Sequence, residues 1–321
     1  MIPPSPGLAL RISVTDRCPL RCLYCRPGPF SEPRGAPDVL QASDIVRFVG
    51  VARAALGVDK VRLTGGEPLV RADIAHLVAA LAQLEMRDLA LTSNGQRLAS
   101  LAHPLRRAGL QRINISLDSL DAGTFARLAR GGELARTLDG IEAARAAGLA
   151  PVRINMVVLR GINDHEAETM LAFALAHDCE LRFIELMPSG LAPADYANWF
   201  LSSAELRDRL ARNFELVPEA HEPGSSSRRF HVACAAGQGL VGFISPNTQP
   251  FCSGCRRLRL TADGRLLGCL GRPDDIRLMG LLRATDEGAD ERIAAAMRVA
   301  LGCKRASGPF AVTMPMSSVG G

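Results

Sequence analysis

The 321-residue sequence contains no apolar run long enough to span a bilayer. Its first residues, MIPPSPGLALRIS, lack the basic start and apolar centre of a signal peptide, so the expected compartment is the cytoplasm, with no membrane partner. Nor does one sign of charge dominate. Thirty-eight Lys and Arg against 33 Asp and Glu leave a net charge of +5, too little to indicate nucleic acid but suited to an anionic small molecule if the charges converge. With 47% apolar and 22% charged residues, disorder is expected only at the ends and in EPGSSSRR (222–229). No internal repeat is found beyond an alternation of strand-like and helical patterns.

What the sequence does have is cysteine. A reducing compartment makes its nine cysteines poor disulfide candidates. Six fall into two tight groups, 18/22/25 and 252/255/269, a pattern that points to metal. Cys179, Cys234 and Cys303 stand alone and read as small buried hydrophobes or incidental thiols.

Six strand-like runs precede residue 187: LALRISV (8–14), KVRLT (60–64), LALTS (89–93), RINIS (112–116), VRINMVV (152–158) and LRFIEL (181–186). Amphipathic segments lie between them, among them 43–56, 72–84 and 133–148, with Ser43 expected to cap the first and Gly148 to end the last. Repeated βα units imply a parallel sheet with right-handed crossovers, either a partial barrel or a doubly wound sheet. The period of two places Leu10, Ile12, Val61, Leu63, Ile113, Ile115, Val152, Ile154 and Met156 on one face. Arg11, Ser13, Lys60, Arg62, Thr64, Asn114, Ser116, Asp118, Arg153 and Asn155 fall on the other. A packed barrel interior would be apolar; charge recurring on one strand face calls for a wet lumen or a polar ligand. After 187 the pattern changes: a helix near 202–212, short strands near 214–217, 228–233 and 239–245, a hairpin turning at Asp263-Gly264, and two helices over 275–300. A boundary near 215 separates units 1–215 and 216–321.

The first cysteine group, in TDRCPLRCLYC, follows strand one at the C-terminal end of the sheet, where α/β folds place active sites. Three thiolates in one loop suit three corners of an iron–sulfur cube with one iron left open, or zinc completed by a distant fourth ligand. TGGEP (64–68) closes strand two; its glycines allow close backbone approach and free N–H groups, and Glu67 could accept from an ammonium. Cys252, Cys255 and Cys269 form a second incomplete shell, with Arg257 and Arg259 on one strand face beside it, a guanidinium pair suited to phosphate or carboxylate. Read alone, this second group is equally a zinc-ribbon fragment.

The cysteine loop with Tyr24 before its last cysteine, together with TGGEP, resembles the radical S-adenosylmethionine (SAM) superfamily. In that family SAM chelates the open iron of a [4Fe–4S] cluster and is cleaved reductively to a deoxyadenosyl radical. With FCSGCRRLRLTADGRLLGCL, RFIELM and the terminal PMSSVGG, the sequence resembles the GTP 3′,8-cyclase family of molybdenum cofactor biosynthesis over almost its whole length. The resemblance implies an α/β fold, an incomplete (β/α)6 TIM-like barrel with a smaller C-terminal α+β domain carrying a second [4Fe–4S] cluster. It implies that Cys18, Cys22 and Cys25 hold the SAM-cleaving cluster and that Cys252, Cys255 and Cys269 hold the other, whose open iron receives the guanine end of GTP. Tyr24, Gly66, Ser116 and Met187 match SAM-binding positions; Arg11, Arg62, Thr92, Arg153, Arg257, Leu258 and Arg259 match GTP-binding ones. No residue is singled out as an acid–base catalyst.

The implied reaction abstracts hydrogen from ribose C3′, joins C3′ to guanine C8 and yields 3′,8-cyclo-7,8-dihydro-GTP. The implied partners are GTP, an external electron donor and the cyclic pyranopterin monophosphate synthase acting next; a homodimer is left open. Two features depart from the family pattern: Arg153 stands where lysine is usual, and the segment before the diglycine tail, which in the family reaches into the active site, is short. The rival readings are another radical SAM enzyme with an auxiliary cluster, such as a peptide-modifying one, and a zinc-stabilised binding protein.

Overall fold

The computed structural model describes residues 7–25, 39–188, 191, 193–221, 224–272 and 274–304. The six N-terminal strands are β1 (Ala9–Ser13), β2 (Lys60–Thr64), β3 (Asp88–Ser93), β4 (Arg112–Ser116), β5 (Val152–Val158) and β6 (Glu180–Glu185). They alternate with α1 (Ala42–Leu56), α2 (Ile74–Ala82), α3 (Leu98–Arg107), α4 (Ala122–Ala129), α5 (Leu134–Ala146) and α6 (Ala167–Ala176). Each strand pairs in parallel with the next. Leu10, Ile12, Leu63, Ile113, Ile115, Ile154 and Met156 are all essentially inaccessible, so the apolar face read from the sequence is the one that packs into the core. Gly148, at φ +74°, follows the end of α5 as expected. Ser43 is not the cap of α1. The cap lies two residues earlier, because Gln41 is the N-cap and the Asp44 carboxylate accepts from the Gln41 N–H at 2.9 Å, which leaves Ser43 exposed in the first turn.

The remaining chain forms α7 (Pro193–Trp199), α8 (Ser203–Leu210), β7 (Val217–Pro218), β8 (Arg228–Cys234), β9 (Gly237–Ile244), β10 (Arg257–Leu260), β11 (Arg265–Leu267), β12 (Asp275–Arg277), α9 (Met279–Arg283) and α10 (Ala289–Gly302). Arg228 and Arg229, at the end of the stretch expected to be disordered, begin β8. The 275–300 region opens with a strand rather than a helix, since Ile276 pairs with Leu266 and extends the β10–β11 hairpin. Strands from this part join both edges of the first six: β10 lies parallel to β1 and β9 parallel to β6. One sheet results, ordered β12-β11-β10-β1-β2-β3-β4-β5-β6-β9-β8-β7. Side chains from eight successive strands, β10 through β9, face a single cavity; only a sheet curled on itself brings them together. No helix among the described residues is long and apolar enough to cross a membrane.

Two contacts fix the cysteine loop above β1. The Gly66 N–H donates to the Thr15 carbonyl and the Glu67 N–H to the Arg17 carbonyl, both at 2.7 Å. A Cβ on Gly65 would sit 2.4 Å from the Thr15 oxygen and one on Gly66 2.3 Å from the Arg17 oxygen. The glycines of TGGEP are thus required by the approach of the neighbouring loop, and these two N–H groups serve that loop, not a ligand as the sequence suggested. Farther along, the Tyr24 hydroxyl donates to Asp118 Oδ2 at 2.7 Å, while Asp118 Oδ1 accepts from the Val157 N–H at 2.8 Å. Burial pushes the Asp118 carboxyl up to about 6, against the opposing pull of those two bonds.

These contacts make two testable statements. Gly66→Ala must displace the 15–17 backbone, and we expect a loss of about 1–3 kcal/mol in denaturant unfolding, as for other overpacked sites; unchanged stability would contradict the close approach. Asp118 keeps its proton to higher pH folded than unfolded, so its burial makes the cofactor-free chain less stable as pH rises from about 4 to about 6. Asp118→Asn preserves both hydrogen bonds, because the tyrosine hydroxyl can accept from the amide. The variant should show a flatter stability profile across that window; an unaltered slope would argue against a protonated Asp118.

Candidate active site

Both cysteine groups open onto one cavity of about 300 Å3 at the C-terminal ends of the strands. Cys18, Cys22 and Cys25 line one side, and Cys252, Cys255 and Cys269 another. Between them lie Arg11, Arg62, Thr92, Ser116, Asn155 and Arg182, one or more from each of the six parallel strands. A second chamber of about 600 Å3 lies at the opposite strand ends, and Arg11, Arg62, Arg182 and Arg257 border both spaces. The lower chamber adds Lys60, Arg112, Arg153, Arg229 and Arg256, with Asp88 as the only carboxylate among its described lining residues.

This concentration of guanidinium is expensive. Burial pulls the Arg11 pKa well down, and Arg259, Arg62, Arg257 and Arg182 add to the effect. Burial likewise lowers Arg62, with Arg112, Arg182 and Arg153 contributing. Guanidinium does not give up its proton at neutral pH, so this strain is a demand for negative charge inside the lumen. Part of it is met within the protein. Glu180 accepts from Arg153 Nε at 2.7 Å and Arg182 Nε at 2.6 Å, and Asp88 accepts from Arg112 Nε at 2.7 Å. Arg62 Nε and Asn155 Oδ1 are buried with no hydrogen-bond partner among the described residues, and both residues line the cavity. A bound anion with polar substituents would satisfy groups of this kind.

The carboxylates at the cavity rim are structural. Glu67 accepts from the Leu69 N–H (3.0 Å), the Ser93 hydroxyl (2.9 Å) and the Asn94 N–H (2.7 Å), which ties the β2 and β3 turns together. Burial pushes it up to about 7. The ammonium-accepting role suggested for it by the sequence therefore meets a carboxylate already engaged by three protein donors. Glu185 accepts from the Ser203 N–H at 2.9 Å and from the Asn247 and Thr248 N–H groups at 3.2 Å, as well as from the Thr248 hydroxyl. It anchors the turn that leads from β9 to Cys252.

Whether each trio fits an iron–sulfur cluster can be judged from its donors. Cys22 is pushed well above its ordinary value by burial and then by the neighbouring Cys25, Asp118 and Cys18; three thiolates crowded in a low-dielectric wall need a cationic core. The Lys304 ammonium lies 3.9 Å from Cys255 Sγ and donates to the carbonyl of Gly268, the residue before Cys269, so the segments bearing these two thiols meet at one side chain. Among the described residues no three His, Cys, Asp or Glu side chains converge on a single-ion site. A zinc ion would gather its ligands at about 2.3 Å from one point, whereas a cube spreads three thiolates over three irons. Three thiols of one loop facing the cavity suit the cube at the first trio.

All the expected SAM-side residues, Tyr24, Gly66, Ser116 and Met187, border the upper cavity, as do Arg11, Arg62, Thr92, Arg257 and Arg259. The Arg257 guanidinium lies over the Phe251 ring at 4.6 Å, and its NH2 donates to the Gly224 carbonyl at 3.0 Å. Arg153 faces only the lower chamber, bound to Glu180. Leu258 is fully buried in the core and offers no side chain to the cavity. The diglycine tail lies outside the described residues. Asn155 was legible as a polar position of its strand but not as a ligand group, and Arg182 lies in a strand-like run whose faces the sequence analysis did not assign; Lys304, which reaches the cavity wall beyond α10, carried no sequence signal at all.

Comparisons with known proteins agree with this arrangement. Residues 12–174 match the family model for the radical SAM superfamily, and residues 179–308 that for Molybdenum Cofactor Synthesis C. A crystal structure of Streptococcus suis SuiB bound to S-adenosylmethionine superposes with a TM-score of 0.61 at 19% identity, over 89% of this chain and 64% of that one. SuiB bound to precursor peptide SuiA gives 0.62 at 18%, over 89% and 63%. This chain thus spans under two thirds of SuiB, and the likeness is one of fold. Relatives described as GTP 3′,8-cyclase extend over nearly the whole chain. That of Marinobacter nauticus is 44% identical over 295 residues, 90% of this chain and 87% of its own. That of Streptomyces coelicolor is 40% identical over 319 residues, 97% and 93%. The chain therefore belongs to the radical SAM superfamily and, within it, to the GTP 3′,8-cyclase family.

Proposed function

We propose that this chain converts GTP to 3′,8-cyclo-7,8-dihydro-GTP, the first step of molybdenum cofactor biosynthesis, and that it carries two [4Fe–4S] clusters. The observation that carries the reading is the opening of both cysteine trios onto one arginine-lined cavity. When bound, an open-iron cluster with SAM supplies a one-electron reductive cleavage and, from it, a hydrogen-abstracting carbon radical. Cys18, Cys22 and Cys25 would hold that cluster, and Tyr24, Gly66, Ser116 and Met187 would form the wall of the SAM site. Cys252, Cys255 and Cys269 would hold the second cluster and leave one iron open to the guanine.

The chain's own work is binding, orientation and exclusion of water. Arg11, Arg62 and Arg182, on adjoining levels of the lumen, would pair with the phosphates, and the open Arg62 Nε would gain the acceptor it lacks. Thr92, whose Oγ1 accepts from Asn114 Nδ2 at 3.1 Å, has its hydroxyl proton left for a ligand oxygen. Arg257 and Arg259 would hold the nucleotide beside the second cluster. Arg153, tied to Glu180, would act from the lower chamber, contributing charge more than direct contact. Leu20, Val157, Ile184, Ile244 and Phe251 supply apolar wall that keeps water from a reactive centre.

Further elements belong to the same proposal. The chain divides functionally near residue 215, the first unit making the radical and the second seating the base. Its setting is the cytoplasm, its electron donor external, and its product passes to the cyclic pyranopterin monophosphate synthase; a homodimer is compatible with this scheme.

Anaerobic incubation with reductant, SAM and GTP, followed by mass analysis, tests the proposal. It should yield 5′-deoxyadenosine together with a cyclised nucleotide; cleavage of SAM that is indifferent to GTP, with no cyclised product, would refute it. Arg257→Ala removes a charge-assisted contact of about 1.5–3 kcal/mol and should weaken GTP binding about 10- to 100-fold while iron content stays at the wild-type level. Loss of about half the iron in that variant would instead make Arg257 a support of the second cluster.

A further inference from the structure

Helix α10 ends against the second cysteine trio. Its closing turn presses on Gly268, the residue before Cys269: a Cβ there would lie 1.9 Å from the Ala300 carbonyl oxygen. The helix is closed by Cys303, whose N–H donates to the Val299 and Ala300 carbonyls. The next residue, Lys304, turns its side chain into the cavity wall. Its ammonium donates to the Arg257 and Gly268 carbonyls and lies 3.9 Å from Cys255 Sγ. One side chain thus joins the segment carrying Cys255 to the segment carrying Cys269. These segments are the ends of the β10–β11 hairpin, whose arms are also joined by their strand ladder.

Resting on the two-cluster reading, we infer that Lys304 is a positioning residue and charge partner of the second cluster. Its two carbonyl bonds hold the thiols of Cys255 and Cys269 at a fixed separation. Its positive charge, set against the Cys255 sulfur, favours the more negative, reduced state of whatever iron–sulfur core those thiols bind. Arg257 and Arg259 also bring positive charge to this wall, but Arg257 is turned toward Phe251 and the Gly224 carbonyl. Lys304 instead sets its ammonium against the Cys255 sulfur. Its hydrogen bond to the expected GTP-binding segment goes to the main chain of Arg257, so its effect on turnover would pass through the cluster.

The test uses the full chain with Cys18→Ala, Cys22→Ala and Cys25→Ala, reconstituted anaerobically so that only the second trio binds iron, about four per chain for one cube. Iron and sulfide are counted and the midpoint potential is followed by electron paramagnetic resonance. Lys304→Met should shift the potential to a more negative value, and Lys304→Arg should restore it. If Lys304→Met loses its iron, retention by Lys304→Arg supports the clasp, and loss from both variants overturns it. A potential unchanged in Lys304→Met, or as negative in Lys304→Arg as in Lys304→Met, overturns the charge partnership. Absence of iron from the parent triple variant would contradict the second cluster itself, and with it this inference; the other outcomes bear on Lys304 alone.

Discussion

Positive charge confined inside a curled sheet is the constraint from which the rest of this structure follows. Guanidiniums from β1, β2 and β6 point into a lumen, where burial and mutual repulsion raise their cost. Glu180 and Asp88 relieve the ones nearest the lower chamber. Arg11 and Arg62, higher in the lumen, have other arginines as their main charged neighbours. A protein tolerates such a lumen when an anionic ligand completes it, and a triphosphate is an anion of the right density.

The same curl decides where chemistry occurs. A flat sheet would leave residues of β10 and β9 at opposite edges; here they border one cavity, so the loop after β1 and the segment before β10 bring two incomplete thiol shells to a common space. Each shell is held by contacts that do not involve a ligand. The first is clamped by Gly66, Glu67 and the Tyr24–Asp118 pair, and the second by Glu185 through the 247–248 turn and by Lys304 at the end of α10. Both groups of thiols therefore stand on rigid walls rather than on loose loops.

Much of this was legible in the sequence because it depends on local period and spacing. The alternation in KVRLT and VRINMVV reports which side chains face the lumen, since a strand has only two faces. The cysteine gaps report metal chemistry for the same reason: ligands in one loop are neighbours whatever the fold. The illegible parts depend on distant contacts. The GGEP turn looked like a ligand cradle, and the N–H groups of Gly66 and Glu67 in fact meet the 15–17 backbone, a pairing fixed only once β1 and β2 lie side by side. Residues 275–277 read as helix because their pairing with β11, the second strand of the expected hairpin, is not visible in local periodicity. Lys304 is one lysine in a polar segment until α10 docks on Gly268 and aims it at Cys255. Arg153 and Arg182 carry positive charge in sequence, yet their sharing of Glu180 depends on β5 and β6 being adjacent.

If the lumen's positive charge is the organising constraint, affinity must follow phosphate number. Titration calorimetry with GTP, GDP, GMP and guanosine on the reconstituted chain measures this directly. The account predicts that affinity falls at each step as phosphates are removed and that the GTP affinity weakens as salt is raised. Guanosine binding as tightly as GTP, with no dependence on salt, would contradict it.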